Sequence, residues 1–221
     1  MNSRRKSNQC PTVSGIFVLV FLYFSACANP AANKPQATVA TPGAEKPSPG
    51  VAQGETLPVT PANSKIEFIG SNPRETNHGS FGKFVGEIKL VDEKPESSRV
   101  SVEIEMNSVQ TNEKKLTSHL QSADFFDVAR FPKATFVSTE IKPGSEGGAT
   151  HTITGNLDMH GVKKAITFPA TITITGDTVT VESEFAINRK DFGIVYPGPA
   201  NNLIRDEVVL KLSVRASRAK G

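Results

Sequence analysis

The sequence predicts an all-β protein of antiparallel strands, and three observations carry that expectation. First, from Ser64 onward apolar and polar residues alternate with a period of two. Val100, Val102, Ile104 and Met106 alternate with Ser101, Glu103, Glu105 and Asn107, and Val208, Leu210, Leu212 and Val214 repeat the pattern near the C-terminus. Ile166, Phe168, Ala170, Ile172 and Ile174 are likewise interleaved with threonines. Strict alternation gives a strand one apolar and one wet face. Second, β-branched residues are abundant, as a pleated, half-buried surface favours. Third, turn chemistry separates the runs.

Eight strands follow in order, near 64–70, 81–92, 98–108, 133–143, 149–159, 162–176, 178–188 and 205–217. Asp92-Glu-Lys-Pro-Glu-Ser97 breaks the second from the third. Gly144-Ser-Glu-Gly-Gly148 and Gly176-Asp177 read as hairpin loops. Short connections imply antiparallel neighbours. One helical insertion is predicted near 111–123, with Thr111 as N-cap and Leu116 and Leu120 on one face. Many two-faced strands with no helices to cover them favour a closed barrel, which also removes sheet edges. The pattern by itself permits a sandwich equally.

Residues 1–27 read as an export signal. Arg4, Arg5 and Lys6 form a positive start, and Val13 to Phe24 an apolar run too short for a spanning helix, which needs ~20 residues. Residues 1–26 hold three basic and no acidic residues, leaving 22 of each in the rest, so the exported chain is formally neutral. That balance gives no footprint for nucleic acid. The two cysteines are Cys10 and Cys27, so the domain downstream has no disulfide framework, cysteine zinc site or thiol nucleophile. Residues 28–62 are rich in Pro, Ala, Gly, Thr and Ser without apolar periodicity. They are expected to form a tether spanning on the order of 30 Å or more. The folded domain is expected at 63–219.

Three segments resemble the YceI-like family: His119-Leu-Gln-Ser-Ala-Asp-Phe-Phe-Asp-Val-Ala-Arg-Phe-Pro-Lys-Ala-Thr-Phe136, Gly155-Asn-Leu-Asp-Met-His-Gly-Val162 and Phe185-Ala-Ile-Asn-Arg-Lys-Asp-Phe-Gly-Ile194. The resemblance spans roughly 64–217. It implies an eight-stranded antiparallel lipocalin-like barrel that holds a polyisoprenoid or another long apolar lipid, and so favours the barrel over the sandwich. Many members open with a Trp and a His-Ser pair. Here no Trp is present and Asn63 precedes Ser64, while Phe192 stands where some members carry Trp. Phe24-Ser-Ala-Cys27 resembles a bacterial lipobox, with Phe24 in place of the usual leucine; Ala26-Cys27-Ala28 also suits ordinary signal cleavage.

Ten phenylalanines lie beyond the signal, against no Trp and one Tyr, Tyr196. Phe offers apolar area without a polar handle. The candidate ligand-lining residues are Val102, Ile104, Met106, Phe125 and Phe126, together with Phe136, Phe168, Phe185, Arg189 and Phe192. The same side chains would serve to fill the interior solidly; the resemblance favours a cavity. Arg189 is read either as a contact to a polar lipid head or as an ion pair fixing a loop. His119, Ser122, Asp124 and Asp127 are read as acid–base or metal chemistry or, more simply, as turn and cap residues. His78-Gly79-Ser80-Phe81 resembles the family's entry to a strand, and His78 is a weaker candidate for ligand contact. His151 and His160 are nine apart, which places them on opposite faces of a regular strand.

No motif for metal, phosphate or nucleophilic catalysis occurs. The sequence therefore predicts a non-enzymatic binding protein with no cofactor and no metal, and the resemblance implies a polyisoprenoid or isoprenoid quinone as the lipid it sequesters or transports. The runners-up are an envelope protein acting through its outer face and a His/Asp enzyme. The expected location is the periplasmic face of the outer membrane through a lipid on Cys27, or a soluble exported state if ordinary cleavage applies. The resemblance leaves a homodimer open. Mass spectrometry of the processed N-terminus checks the anchor: a diacylglyceryl Cys27 is expected, and an unmodified start at Asn29 would end the lipoprotein reading.

Overall fold

The computed structural model describes residues 28–44, 54–144 and 148–218. The signal, Cys27, the tether residues 45–53 and the tip of the 144–148 loop lie outside them. The strands are β1 (Thr38–Ala40), β2 (Glu55–Val59), β3 (Ser64–Ser71), β4 (Thr76–Phe81), β5 (Phe84–Val91), β6 (Lys94–Glu105), β7 (Val109–Thr111), β8 (Lys133–Pro143), β9 (His151–Met159), β10 (Val162–Thr175), β11 (Thr178–Asn188) and β12 (Glu207–Ser217). One helix, α1 (Lys114–Gln121), sits between β7 and β8.

Among the described residues these strands pair antiparallel, in the order β2-β5-β6-β8-β9-β10-β11-β12-β3-β4-β7, with β1 against β10. β4 runs on through Gly82 and Lys83 into β5, and β6 runs through a 310 turn at Met106–Ser108 into β7. β4 pairs with β7 and β5 with β6, so both sides of this junction belong to one long bent hairpin. The sheet curls back on itself there. Ser108 sets the bend. It is 9% exposed; its hydroxyl accepts the Lys83 N–H at 3.0 Å and donates to the Glu105 carbonyl at 2.6 Å.

The fold is thus all-β and curled, but the count of eight strands is corrected to twelve among the described residues. The eight predicted runs overlap β3, β5, β6 and β8 to β12. β4 and β7 are separate strands because of the bend. Asp92 and Glu93 alone make the β5–β6 turn, both at positive φ (51° and 54°), so β6 begins at Lys94 and not after Ser97. Thr111 is not the helix cap: it ends β7, and its hydroxyl takes the Glu113 N–H and meets the Thr117 hydroxyl at 2.9 Å. Asn63 ties the β2–β3 turn, its amide oxygen accepting from the Thr60 N–H and the Ser64 hydroxyl.

β1 and β2 fall within the expected tether, so that expectation is corrected for 28–44 and 54–62. Leu57 and Val59 on β2 are 0% and 1% exposed and join the main core. Residues 28–44 form a strap that pairs edge-on with β10 and with β11 at Ala186, and its Ala37 and Val39 pack against the main core. Ala31 packs on Ile69, Ala186 and Val209. Pro35 and Ala37 bond the backbone of Ala186, β1 pairs with β10, and Gly43 exchanges two hydrogen bonds with the Asn156 amide at 3.0 and 2.9 Å. Backbone pairing needs no apolar periodicity, which is why composition missed it.

Inside, large side chains lie over glycines. Phe168 stacks on Phe185 at 4.2 Å between centroids, and Phe136 meets Phe168 at 5.7 Å. A Cβ on Gly155 would land on the Phe136 ring, and one on Gly79 on the Phe68 ring, whereas a Cβ on Gly70 would meet nothing within 4 Å. Gly155→Ala is therefore expected to cost about 1–3 kcal/mol by overpacking, with Gly70→Ala within about 0.5 kcal/mol of wild type. Urea unfolding of the two variants checks this.

Candidate functional site

The interior divides along its length. One half is filled by the Phe136–Phe168–Phe185 group. The other half, toward the end where β3 and β11 finish and β12 starts, holds a cavity of about 350 Å³. Its walls come from β3 (Phe68, Gly70, Ser71), β4 (Phe81), α1 (Leu116, His119, Leu120) and the turn after it (Phe125, Phe126). β11 and β12 contribute Ile187, Val208 and Leu210, and the loop between them adds Ile194, Tyr196, Pro199, Asn202 and Ile204.

Two aromatic groups shape this space. Phe68, Phe81 and Phe126 form a triangle with centroids 5.7, 5.9 and 6.4 Å apart. Nearer the rim, His119, Phe125 and Tyr196 meet at 4.9 to 5.3 Å. α1 turns its Leu116 and Leu120 inward by their i, i+4 spacing, and the compact turn behind it is held by Phe126 N–H to Leu120 and Asp127 N–H to Ser122.

Arg189 holds the mouth loop. It opens a 310 turn (Arg189–Phe192) and its side chain is 5% exposed. Its guanidinium donates to the Ile194 carbonyl (2.7 Å), the Arg205 carbonyl (3.2 Å) and Asp206 Oδ1 (3.1 Å). Both ends of the 194–205 loop are thereby fastened to one side chain. Burial lowers the Arg189 pKa from its ordinary value, and the Asp206 carboxylate opposes that shift.

Residues 58–216 match the model of the YceI-like domain. The chain belongs to this YceI-like family. A UPF0312 protein of Yersinia enterocolitica is 39% identical over 150 residues, 65% of this chain and 74% of that one. A UPF0312 protein of Pseudomonas putida is 38% identical over 133 residues, 58% and 68% of the two chains. Among solved structures, BcnA of Burkholderia cenocepacia superposes with a TM-score of 0.64 at 27% identity, over 72% of this chain and 99% of that one. A protein described as a polyisoprenoid binding domain from Saccharophagus degradans gives 0.59 at 16% identity, over 75% and 99%, a likeness of fold alone.

Within this YceI-like domain the sequence candidates separate. Phe125, Phe126 and Arg189 line the cavity. Val102, Ile104, Met106, Phe136, Phe168, Phe185 and Phe192 do not; they belong to the hydrophobic core or pack against it. Alternation reports which face of a strand points inward and carries no information on height along the barrel. Arg189 reaches the cavity wall, and its side chain forms the ion pair that fixes the loop, donating to Ile194, Arg205 and Asp206. His119 lines the cavity and pairs with Asp124 at 3.0 Å, while Asp127 turns to Arg130. His78 is exposed on β4 and does not line the cavity. His160 bonds the Phe192 carbonyl, and His151 approaches Glu96 at 3.6 Å. Among the described residues no cluster of His, Cys, Asp and Glu is arranged to hold a metal.

The mouth loop and the end of β3 escaped the sequence reading. The long connection between the last two strands was the available signal, because extended loops in compact domains are usually functional. Replacing Arg189 with Ala removes the donor from two carbonyls and leaves Asp206 with Lys190, and is expected to cost about 2 kcal/mol. Urea unfolding measures the loss, and limited proteolysis should find new cleavage within 194–205.

Proposed function

We propose that this protein is an exported carrier that sequesters or transports an isoprenoid-type lipid, polyisoprenoid or isoprenoid quinone, without making or breaking bonds. The apolar mouth cavity carries this reading. Membership of the YceI-like family, and the polyisoprenoid-binding description of a structural relative, support it. At ~30 Å³ per non-hydrogen atom the cavity takes roughly a dozen atoms, about two isoprene units. Burying ten carbons is worth about 8 kcal/mol before the costs of association. A longer chain extends through the mouth or displaces the Phe136–Phe168–Phe185 group.

The envelope location belongs to the same proposal. Ala31 packs on Ile69 and Val209, each one residue from the cavity-lining Gly70 and Val208. A lipid on Cys27, four residues earlier, would hold the domain close to the bilayer with its mouth end nearest, not on a long tether. Val195 (63% exposed) and Leu203 (55%) stand out on the mouth loop, where they would meet lipid headgroups.

Organic extraction and native mass spectrometry of protein purified from its host envelope test the carrier. One co-purifying isoprenoid-type lipid is expected. Gly70→Leu should abolish it with little change in unfolding midpoint, because that position faces open space. Wild-type protein that repeatedly yields no lipid would overturn the proposal.

A further inference from the structure

The wall of the curled sheet has a fork in it. β11 pairs with β12 along its whole length, from Thr178↔Ser217 to Asn188↔Glu207. With β10 it pairs only from Thr175↔Thr178 to Thr171↔Glu182, where the register ends among the described residues. Pro169 has no N–H to offer a ladder, and its carbonyl takes the Ser183 hydroxyl at 2.6 Å. The strap enters between the parted strands. Ala37 N–H donates to the Ala186 carbonyl and Ala186 N–H to the Pro35 carbonyl, both at 2.8 Å. Thr38, Val39 and Ala40 pair with Thr167, Ile166 and Ala165. A second cavity, of about 290 Å³, lies at the fork against Lys34, Pro35, Pro169, Ala170, Ser183 and Glu184. Phe168 and Phe185 stack three residues beyond the last β10–β11 pair, next in sequence to Thr167 and Ala186, the strap's own partners.

We infer that the strap sets the chain length the carrier accepts: it is the part of the wall that yields when a lipid longer than the mouth cavity pushes Phe168 and Phe185 aside. This rests on the carrier reading and deepens it. The mouth cavity alone takes about two isoprene units. A longer chain needs the volume that the stacked rings hold, and in a close-packed interior those rings move only if the wall beside them moves. On their other sides the wall is continuous ladder, β10 with β9 from Val162↔Met159 to Ala170↔His151 and β11 with β12 throughout. The strap is held by less. It has one short ladder, two hydrogen bonds between Gly43 and the Asn156 amide, and a partly exposed Lys34–Glu184 ion pair of a kind that adds little. The apolar side chains it packs inward are small, Ala31, Ala37 and Val39. The second cavity leaves its entry unpacked on one side, where contacts are forfeited. Segments held this lightly open at a lower free energy than the whole fold. Lifting the strap also exposes its backbone partners to water and strands no buried polar group.

Native mass spectrometry of delipidated, export-processed protein with geraniol and geranylgeraniol tests this, because the two alcohols differ only in length. Opposed positions on antiparallel strands suit a disulfide. Thr38→Cys with Thr167→Cys, in a Cys27→Ser background, therefore fastens the strap when oxidised and frees it when reduced. The oxidised form should bind geranylgeraniol at least about tenfold more weakly than the reduced form, and geraniol within about twofold. Ala40→Cys with Ala165→Cys is a second lock, in case losing the Thr154–Thr167 hydroxyl contact disturbs the first. In the opposite direction, Asn156→Ala removes both bonds to Gly43 and should tighten geranylgeraniol by about five- to tenfold. Unchanged geraniol binding shows that each variant keeps its fold and its mouth cavity. Equal geranylgeraniol binding by oxidised and reduced protein overturns the inference: the long chain then runs out through the mouth, and the carrier reading stands. An Asn156→Ala protein that keeps geraniol and gains nothing for geranylgeraniol overturns it as well. Failure of both alcohols to bind the wild type removes the carrier reading itself.

Discussion

The cavity depends on one buried guanidinium that donates to both ends of the loop above it. Taking a charge out of water is costly unless its donors are matched, and Arg189 meets that condition only when the 194–205 loop lies over the ends of β11 and β12. The loop then becomes a wall carrying Ile194, Tyr196 and Ile204. Without that fastening the mouth would be an open end of the sheet. The site thus depends on a residue that reaches the cavity and spends its hydrogen bonds elsewhere.

Close packing explains why the rest of the interior is filled. Protein cores reach crystal-like density by placing large side chains against small ones. Phe136 lies over Gly155 and Phe68 over Gly79. Toward the mouth this complementarity stops. Gly70 has no ring above it, and the Phe68–Phe81–Phe126 triangle lines a space without closing it. Rigid aromatic walls keep such a space from collapsing, since rings cannot rearrange without leaving their neighbours.

The strap changes the relation between the domain and the chain before it. Residues 28–44 are held by backbone pairing to β10 and β11 and by the Asn156 amide. Asn156 is 2% exposed under this segment, so its polar group is buried and answered by Gly43. The N-terminal region therefore acts as part of the folded body and brings its first described residues to the mouth end.

Period-two alternation was enough to specify an antiparallel β protein, because a strand with one wet and one apolar face admits few other arrangements. The resemblance in 119–136, 155–162 and 185–194 placed the chain in its family. The wealth of phenylalanine and the lack of catalytic spacing directed attention to an apolar interior. Tertiary structure alone decided the remainder. Parity separates inside from outside, but only the three-dimensional stack of Phe136, Phe168 and Phe185 divides filled from open. The partners of Arg189 come from residues 194, 205 and 206, and the Arg205 N–H meets the Ser71 carbonyl across more than a hundred residues of chain. Such meetings depend on how the sheet curls, which no local pattern encodes.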